Sequence, residues 1–282
     1  MKESLRQLRM IRELRRHLLP RDVPQPRGWR LAVRQTPGAW KGSDFYDLLS
    51  LPDGRLLLVL TGGSDQGAPA TALAAVVRVV LHSCPLSSGR ERMPYCPLQE
   101  PVLQPPHILL GHVNQVLAEN SLEEQYLTAF CGLLGPGSGT VLYANAGHPW
   151  PRVWRAATRA VEPVSGPADL PLGLHHTTTY RKRRLELDSG DLLLLASEEV
   201  TAARSPWDEA FGAGALDDAL AASAADGPDA VVETAMHELT QFVGRRRPSG
   251  DLTLVAVQRV CDADFDGESA TSGGRVKRTN DV

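Results

Sequence analysis

Apolar residues follow two rhythms along this chain, and each rhythm assigns a kind of element. Spacings of three and four mark helices. They occur at Leu5, Leu8, Ile11, Leu14 and Leu18 within residues 2–19, then from Pro69 to His82, and again at His107–Glu119, Ala213–Ala224 and Pro228–Val243. Pro20 stops the first of these, and Pro69 suits a first helical turn. Alternating or unbroken apolar runs mark strands at Trp29–Arg34, Leu127–Leu134, Thr140–Asn145, Trp150–Arg155, Arg183–Leu187, Asp191–Ala196 and Leu252–Val260. Two further strands flank the turn Pro52-Asp53-Gly54, and Gly135–Gly139 joins another hairpin. Leu56–Leu60 is apolar on both faces, so that strand should be covered on both sides.

Between these elements the pattern breaks. Residues 84–106 are dense in proline and hold Cys84 and Cys96, which reads as an irregular insertion. Residues 21–27 read as a Pro-rich linker. Residues 261–282 are acidic, then Gly/Ser-rich, then basic, and cannot bury enough apolar surface to offset ordering entropy, so a flexible tail is expected. The domain plan is an N-terminal amphipathic helix (1–20), one core (21–260) and that tail. Hairpins dominate and no regular βαβ alternation is present, which predicts an α+β layered sandwich of antiparallel sheets with helices on their faces.

Composition narrows the function classes. Lys+Arg number 30 against 33 Asp+Glu, a net charge of −3, which excludes a globally basic nucleic-acid binder. No apolar run approaches the roughly 18–20 residues that span a bilayer. Cys84, Cys96, Cys131 and Cys261 are widely spaced without a CxxC pair, fitting neither a zinc site nor a disulfide framework, so a cytoplasmic location is expected. The first helix is locally basic (Lys2, Arg6, Arg9, Arg12, Arg15, Arg16 against Glu3 and Glu13). Its aliphatic stripe without aromatic anchors points to packing on its own domain or on a second copy rather than to a membrane surface.

Candidate chemistry sits at strand ends. Gly42-Ser43-Asp44, Gly62-Gly63-Ser64-Asp65-Gln66-Gly67, Ser197-Glu198-Glu199 and Ser249-Gly250-Asp251 adjoin apolar strands, and carboxylates so placed can build an oxygen-ligand site for hard divalent cations. Each alone also reads as an ordinary polar turn. The Gly62–Gln66 stretch fails as a nucleophile elbow because Gln66 occupies the last glycine of GxSxG. His175-His176 reads as surface, and Met236-His237-Glu238 lacks the second histidine of a zinc-protease motif. Arg181–Arg184 and Arg245–Arg247 suit a solvated strand edge and a helix C-terminus, or an acidic partner.

Taken in order, GSDFYDLLSLPDGRLLLVL, GGSDQGAPATALA, TAFCGLL, YANAGHPWP, LPLGL, LELDSGDLLLLASEEVTAAR and SGDLTLVAVQR resemble the bacterial PPM-type serine/threonine phosphatases of the SpoIIE branch, over about residues 29–260. The most specific pieces are Asp44-Phe45-Tyr46-Asp47 and Asn145-Ala146-Gly147-His148-Pro149. The resemblance implies a four-layer αββα sandwich, two antiparallel sheets flanked by helices. It also implies a pair of Mn²⁺ or Mg²⁺ ions that activate water for attack on a phosphoserine or phosphothreonine. Such a site is built from aspartates in motifs like GGDFYD, GDVSGKG, TDG and DD-x-T.

The carry-over is uneven. Asp44 matches the first aspartate. Gly62 stands where the metal-bridging aspartate belongs, Glu198 replaces the third, and Gly250 replaces the fourth. Asp65, on the Gly-rich loop, is the candidate substitute ligand. Asp251 should face away from the site by strand alternation, and Glu199, in a glycine's place, should crowd the metals. Asn145 and His148 are family-motif residues with a structural role, and no catalytic residue is assigned. The expected function is a pseudophosphatase that regulates or scaffolds phosphoprotein signalling through a protein partner, itself phosphorylated. The alternative is a phosphatase with a rearranged or single-metal site of Asp44, Asp65 and Glu198, binding Mn²⁺ or Mg²⁺. By the same resemblance the N-terminal helix suggests a homodimer or a switch helix.

Overall fold

A computed structural model describes residues 13, 17–38, 44–63, 68–83, 104–120, 125–167, 169–261 and 276–277. Sheet one contains β3 (Phe45–Ser50), β4 (Leu56–Gly63), β5 (Leu127–Leu134), β6 (Thr140–Ala146) and β9 (Arg183–Glu186), in that spatial order. Sheet two is ordered β2 (Trp29–Thr36), β11 (Leu252–Arg259), β10 (Leu192–Ala196), β7 (Arg152–Arg155), β8 (Ala160–Pro163). Every pairing in both sheets is antiparallel. Helices α1 (Ala68–Ser83) and α2 (Pro106–Asn120) cover sheet one; α3 (Glu198–Ala202), α4 (Gly212–Ser223) and α5 (Pro228–Val243) cover sheet two. The result is the αββα sandwich that the sequence predicts.

Alternation of side chains produces three apolar layers. In β4, Leu56, Leu58 and Leu60 enter the layer between the sheets, where they meet Leu193, Leu195, Val255 and Val257 of sheet two. Leu57 and Val59 point the other way, onto Val77, Leu81, Leu109 and Val113 of α1 and α2. This is why the Leu56–Leu60 run is apolar throughout. On the far side, Leu254 and Ala256 of β11 pack with Leu216, Leu220, Val232 and Leu239 of α4 and α5. Helix α1 is also held by charge: Asp47 Oδ2, buried beneath it, lies 2.6 Å from His82 Nε2 and 3.5 Å from Arg78 Nη1. Arg78 also donates to the Leu18 carbonyl, and Leu18 and Leu19 pack against the same core.

Some elements were not anticipated. Strand β8 and helix α3 carry no periodic signal, and the linker contains a two-residue strand, β1 (Asp22–Val23). It pairs antiparallel with β12 (Val276–Lys277) of the tail segment. The remainder of the tail, residues 84–103 of the insertion and most of the N-terminal helix lie outside the described residues. Among the described residues no helix is long and apolar enough to cross a membrane.

Candidate functional site

The strand ends that carry the candidate loops converge across the sandwich. Asp44 immediately precedes β3 and shares the inward alternation of Tyr46 and Leu48, which places its carboxylate between the sheets; it is 4% exposed. From the opposite sheet, Thr253 follows the inward phase of Val255 and Val257, and its hydroxyl donates to Asp44 Oδ2 at 2.8 Å. The two sheets are therefore tied at this end by a charge-assisted hydrogen bond in a buried setting. Ser197, at the end of β10, fastens the neighbouring loop to the same strand. Its Oγ accepts the Thr253 N–H (3.1 Å) and donates to the Asp251 carbonyl (3.3 Å), while its own N–H donates to the Thr253 carbonyl (2.9 Å).

Position 62 faces Asp44. A Cβ added to Gly62 would stand 3.7 Å from Asp44 Oδ1 and 3.2 Å from Thr128 Oγ1, whose hydroxyl donates to the Gly62 carbonyl. The geometry that brings a second carboxylate next to Asp44 is present, but the residue there has no side chain. Position 250 differs, because its side-chain space is taken. A Cβ there would lie 2.7 Å from Cγ and 2.8 Å from Cδ of Glu199. Glu199 is held in place by Ser249 Oγ (3.0 Å) and the Gly250 N–H (3.3 Å), both donating to its Oε2. Glu198, aligned with the third aspartate, is exposed at the start of α3. Glu199 thus reaches position 250, a specific location for the crowding expected from its place in the motif.

Asp251 has a backbone partner of its own. It is 1% exposed, and its Oδ1 accepts the Gly38 N–H at 2.9 Å. Gly38 is a glycine for a steric reason, since a Cβ there would sit 2.3 Å from the Gly250 carbonyl oxygen. Asp251 therefore joins the segment after β2 to the start of β11. Asp65 lies outside the described residues. Among the described residues, no three His, Cys, Asp or Glu side chains are grouped so that they could hold a metal ion. Two dications in contact demand several converging negative charges, which the described residues by themselves do not supply.

The NAGHP turn is closed by its own hydrogen bonds. Asn145 Nδ2 donates to the His148 carbonyl (3.0 Å), and its Oδ1 accepts the His148 N–H (2.8 Å). His148 Nδ1 lies 3.1 Å from the Pro149 carbonyl and so carries the proton, while buried Nε2 finds no hydrogen-bond partner among the described residues. Burial pushes the imidazole pKa down to about 4, so the ring is neutral. Gly147 takes φ +69°, and a Cβ there would press on Pro171 at 2.8 Å, which fits the turn tightly onto the LPLGL segment. His175 and His176 are exposed and stack on each other at 5.1 Å. His237 is exposed on α5.

Sequence reasoning quoted Thr253 and Ser197 without giving them roles. A hydroxyl in phase with the inward strand face was the available signal for Thr253. Nothing local signalled that Glu199 would reach Gly250.

Comparison with known proteins agrees with this architecture. The family described as Stage II sporulation protein E (SpoIIE) matches residues 52–260. Protein IcfG of Synechocystis sp. is 23% identical over 269 residues, 88% of this chain and 40% of that protein, so the chain spans well under half of that relative. The RsbU and RsbW domains of Rv1364c from Mycobacterium tuberculosis superpose with a TM-score of 0.69 at 25% identity, covering 86% of this chain and 63% of that one. The SiaA-PP2C domain of Pseudomonas aeruginosa gives 0.71 at 16% identity, covering 91% and 97%.

Proposed function

Because the chain belongs to the SpoIIE family of PP2C-fold proteins, we propose that it is a pseudophosphatase, a regulator or scaffold that binds a phosphorylated protein partner without turning it over. The observation that carries this reading is the state of two ligand positions. Gly62 presents no carboxylate to Asp44, and the volume at Gly250 is filled by Glu199. In relatives with a full site, the metals supply an activated water and neutralise charge on the phosphoryl group. Here Asp44 is engaged by Thr253, and Glu199 by Ser249 and Gly250. These carboxylates brace the end of the sandwich. The partner surface is then the part of the fold that function preserves. The similar structure of Rv1364c, which holds an RsbU domain together with an RsbW domain, supports a role beside another protein domain.

Calorimetric titration with Mn²⁺, run beside hydrolysis of a phosphoserine peptide, tests the proposal. The expected result is neither tight binding nor metal-dependent turnover. Tight binding with turnover that Asp44→Ala abolishes would instead establish the rearranged site of Asp44, Asp65 and Glu198. A repaired variant supplies the positive control. It must combine Gly62→Asp, Glu198→Asp and Gly250→Asp with Glu199→Gly, because the new aspartate at 250 has no room while Glu199 remains. The repaired protein is expected to bind Mn²⁺ more tightly than the parent.

A further inference from the structure

Trp207 is 81% exposed, the most exposed large apolar side chain among the described residues. A lone apolar residue on a surface needs no explanation, but this one sits on a loop held by many hydrogen bonds. Ser205, itself buried, accepts the N–H groups of Trp207 and Glu209 on its Oγ, each at 3.2 Å. The Ser205 N–H donates to the Glu209 carbonyl (2.9 Å), and the Asp208 N–H to the Ser205 carbonyl (3.0 Å). Arg204 Nη1 donates to the Asp208 carbonyl (2.8 Å). Arg246 fastens the loop from outside, donating from Nη1 to the Ser205 carbonyl (3.0 Å) and to Asp208 Oδ1 (3.3 Å). Asp208 adopts φ +69°, a left-handed conformation that non-glycine residues take at a cost. The loop is thus multiply bonded and presents an indole to solvent.

The loop adjoins a basic turn, through the bonds from Arg246. Arg246 is one of three consecutive arginines after α5, and Arg245 and Arg247 are exposed and make no ion pair with any described residue. Cations suit the end of a helix, which accounts for arginines near Gly244. It does not account for an exposed tryptophan on the loop that Arg246 holds. Trp and Arg are the residues that carry most binding energy at protein interfaces, and pre-ordering them removes part of the entropy cost of association. The same segment, residues 245–249, leads directly to Gly250, where Glu199 is held.

We propose that the 204–209 loop and the arginine turn form a docking surface for an acidic segment of a partner protein. An apolar side chain of that segment lies on Trp207, and its carboxylates pair with Arg245 and Arg247. The inference stands on this surface alone and is independent of the state of the metal positions.

A displayed library of random, unphosphorylated 16-residue peptides, selected on the full-length protein, tests it. Acidic peptides containing an aromatic or large aliphatic residue are expected to be enriched. Synthetic versions of them should lose at least about tenfold in affinity with Trp207→Ala, and similarly with Arg245→Ala/Arg247→Ala. Circular dichroism should show both variants folded, since each replaced side chain is exposed. Absence of enrichment, or peptides whose affinity is unchanged by Trp207→Ala, overturns the proposal. Vesicles containing phosphatidylserine are the control: if they bind and the peptides do not, the surface is a membrane contact and the proposal also fails. Either failure leaves the pseudophosphatase reading intact, because that reading is tested by metal binding and hydrolysis.

Discussion

Two positions, far apart in sequence, behave as one unit at the candidate site: Glu199 occupies the volume that a residue larger than glycine at 250 would need. Gly250→Asp alone is therefore expected to destabilise the protein by about 1–3 kcal/mol through overpacking. In a Glu199→Gly background the same change should cost much less. A double-mutant cycle by urea unfolding measures that coupling, and additive effects would show that Glu199 is not the obstacle. His148 gives a separate prediction. Its folded pKa of about 4 lies below the ordinary value of 6.5, so between these pH values the unfolded chain binds a proton that the folded one refuses. Stability should be unaffected above pH 6.5 and fall by about 3 kcal/mol as pH drops towards 4. His148→Gln should remove that part of the acid sensitivity, measured as the difference in unfolding free energy between pH 7 and pH 4.5.

At the level of elements, Gly227 decides how α5 begins. It caps the helix with φ 98° and ψ 177°, a conformation open only to glycine, and Pro228 follows at the first helical position. An added Cβ would find open space, with only Gln258 Oε1 at 3.7 Å, so the penalty for Gly227→Ala is one of backbone strain. A loss of about 1–3 kcal/mol is expected in thermal or urea unfolding. In the middle layer, Leu58→Ala should cost about 2–5 kcal/mol, because Leu58 is 1% exposed between two sheets that cannot close up around the void. The main strands and helices were legible in the sequence because each buries at least one face, and burial imposes a period. Strand β8 was not, since Ala160–Pro163 lies at a sheet edge with mostly exposed side chains and so has no apolar alternation. Helix α3 is five residues long, too short to show a period. The site was legible as motif positions, including the two vacant ones. The reach of Glu199 into position 250 was not, because it joins strand ends 51 residues apart.

For the whole molecule, the resemblance suggests dimerisation or switching through the N-terminal helix, while Leu18 and Leu19 pack on the core of their own chain. Light scattering on the full-length protein and on a form starting at Arg21 separates these roles. Equal mass per particle would assign the helix to intrachain packing, and a halved mass in the shortened form would assign it to dimerisation. The sheet order carries a further consequence, for synthesis. Sheet one is assembled from strands within residues 45–186, but β2 must wait for β11, and its Gln35 meets Thr253 across 218 residues of chain. Closing a separation of that size late is slow, and a nascent chain grows at roughly 5–20 residues per second. Sheet one therefore emerges from the ribosome with Leu56, Leu58 and Leu60 uncovered for many seconds, a natural substrate for chaperones. The Asp44–Thr253 bond, spanning 209 residues, is among the last to form. The Asp44 end of the sandwich is completed only once β11 has been made, and a chain truncated before β11 lacks the Thr253 that closes it.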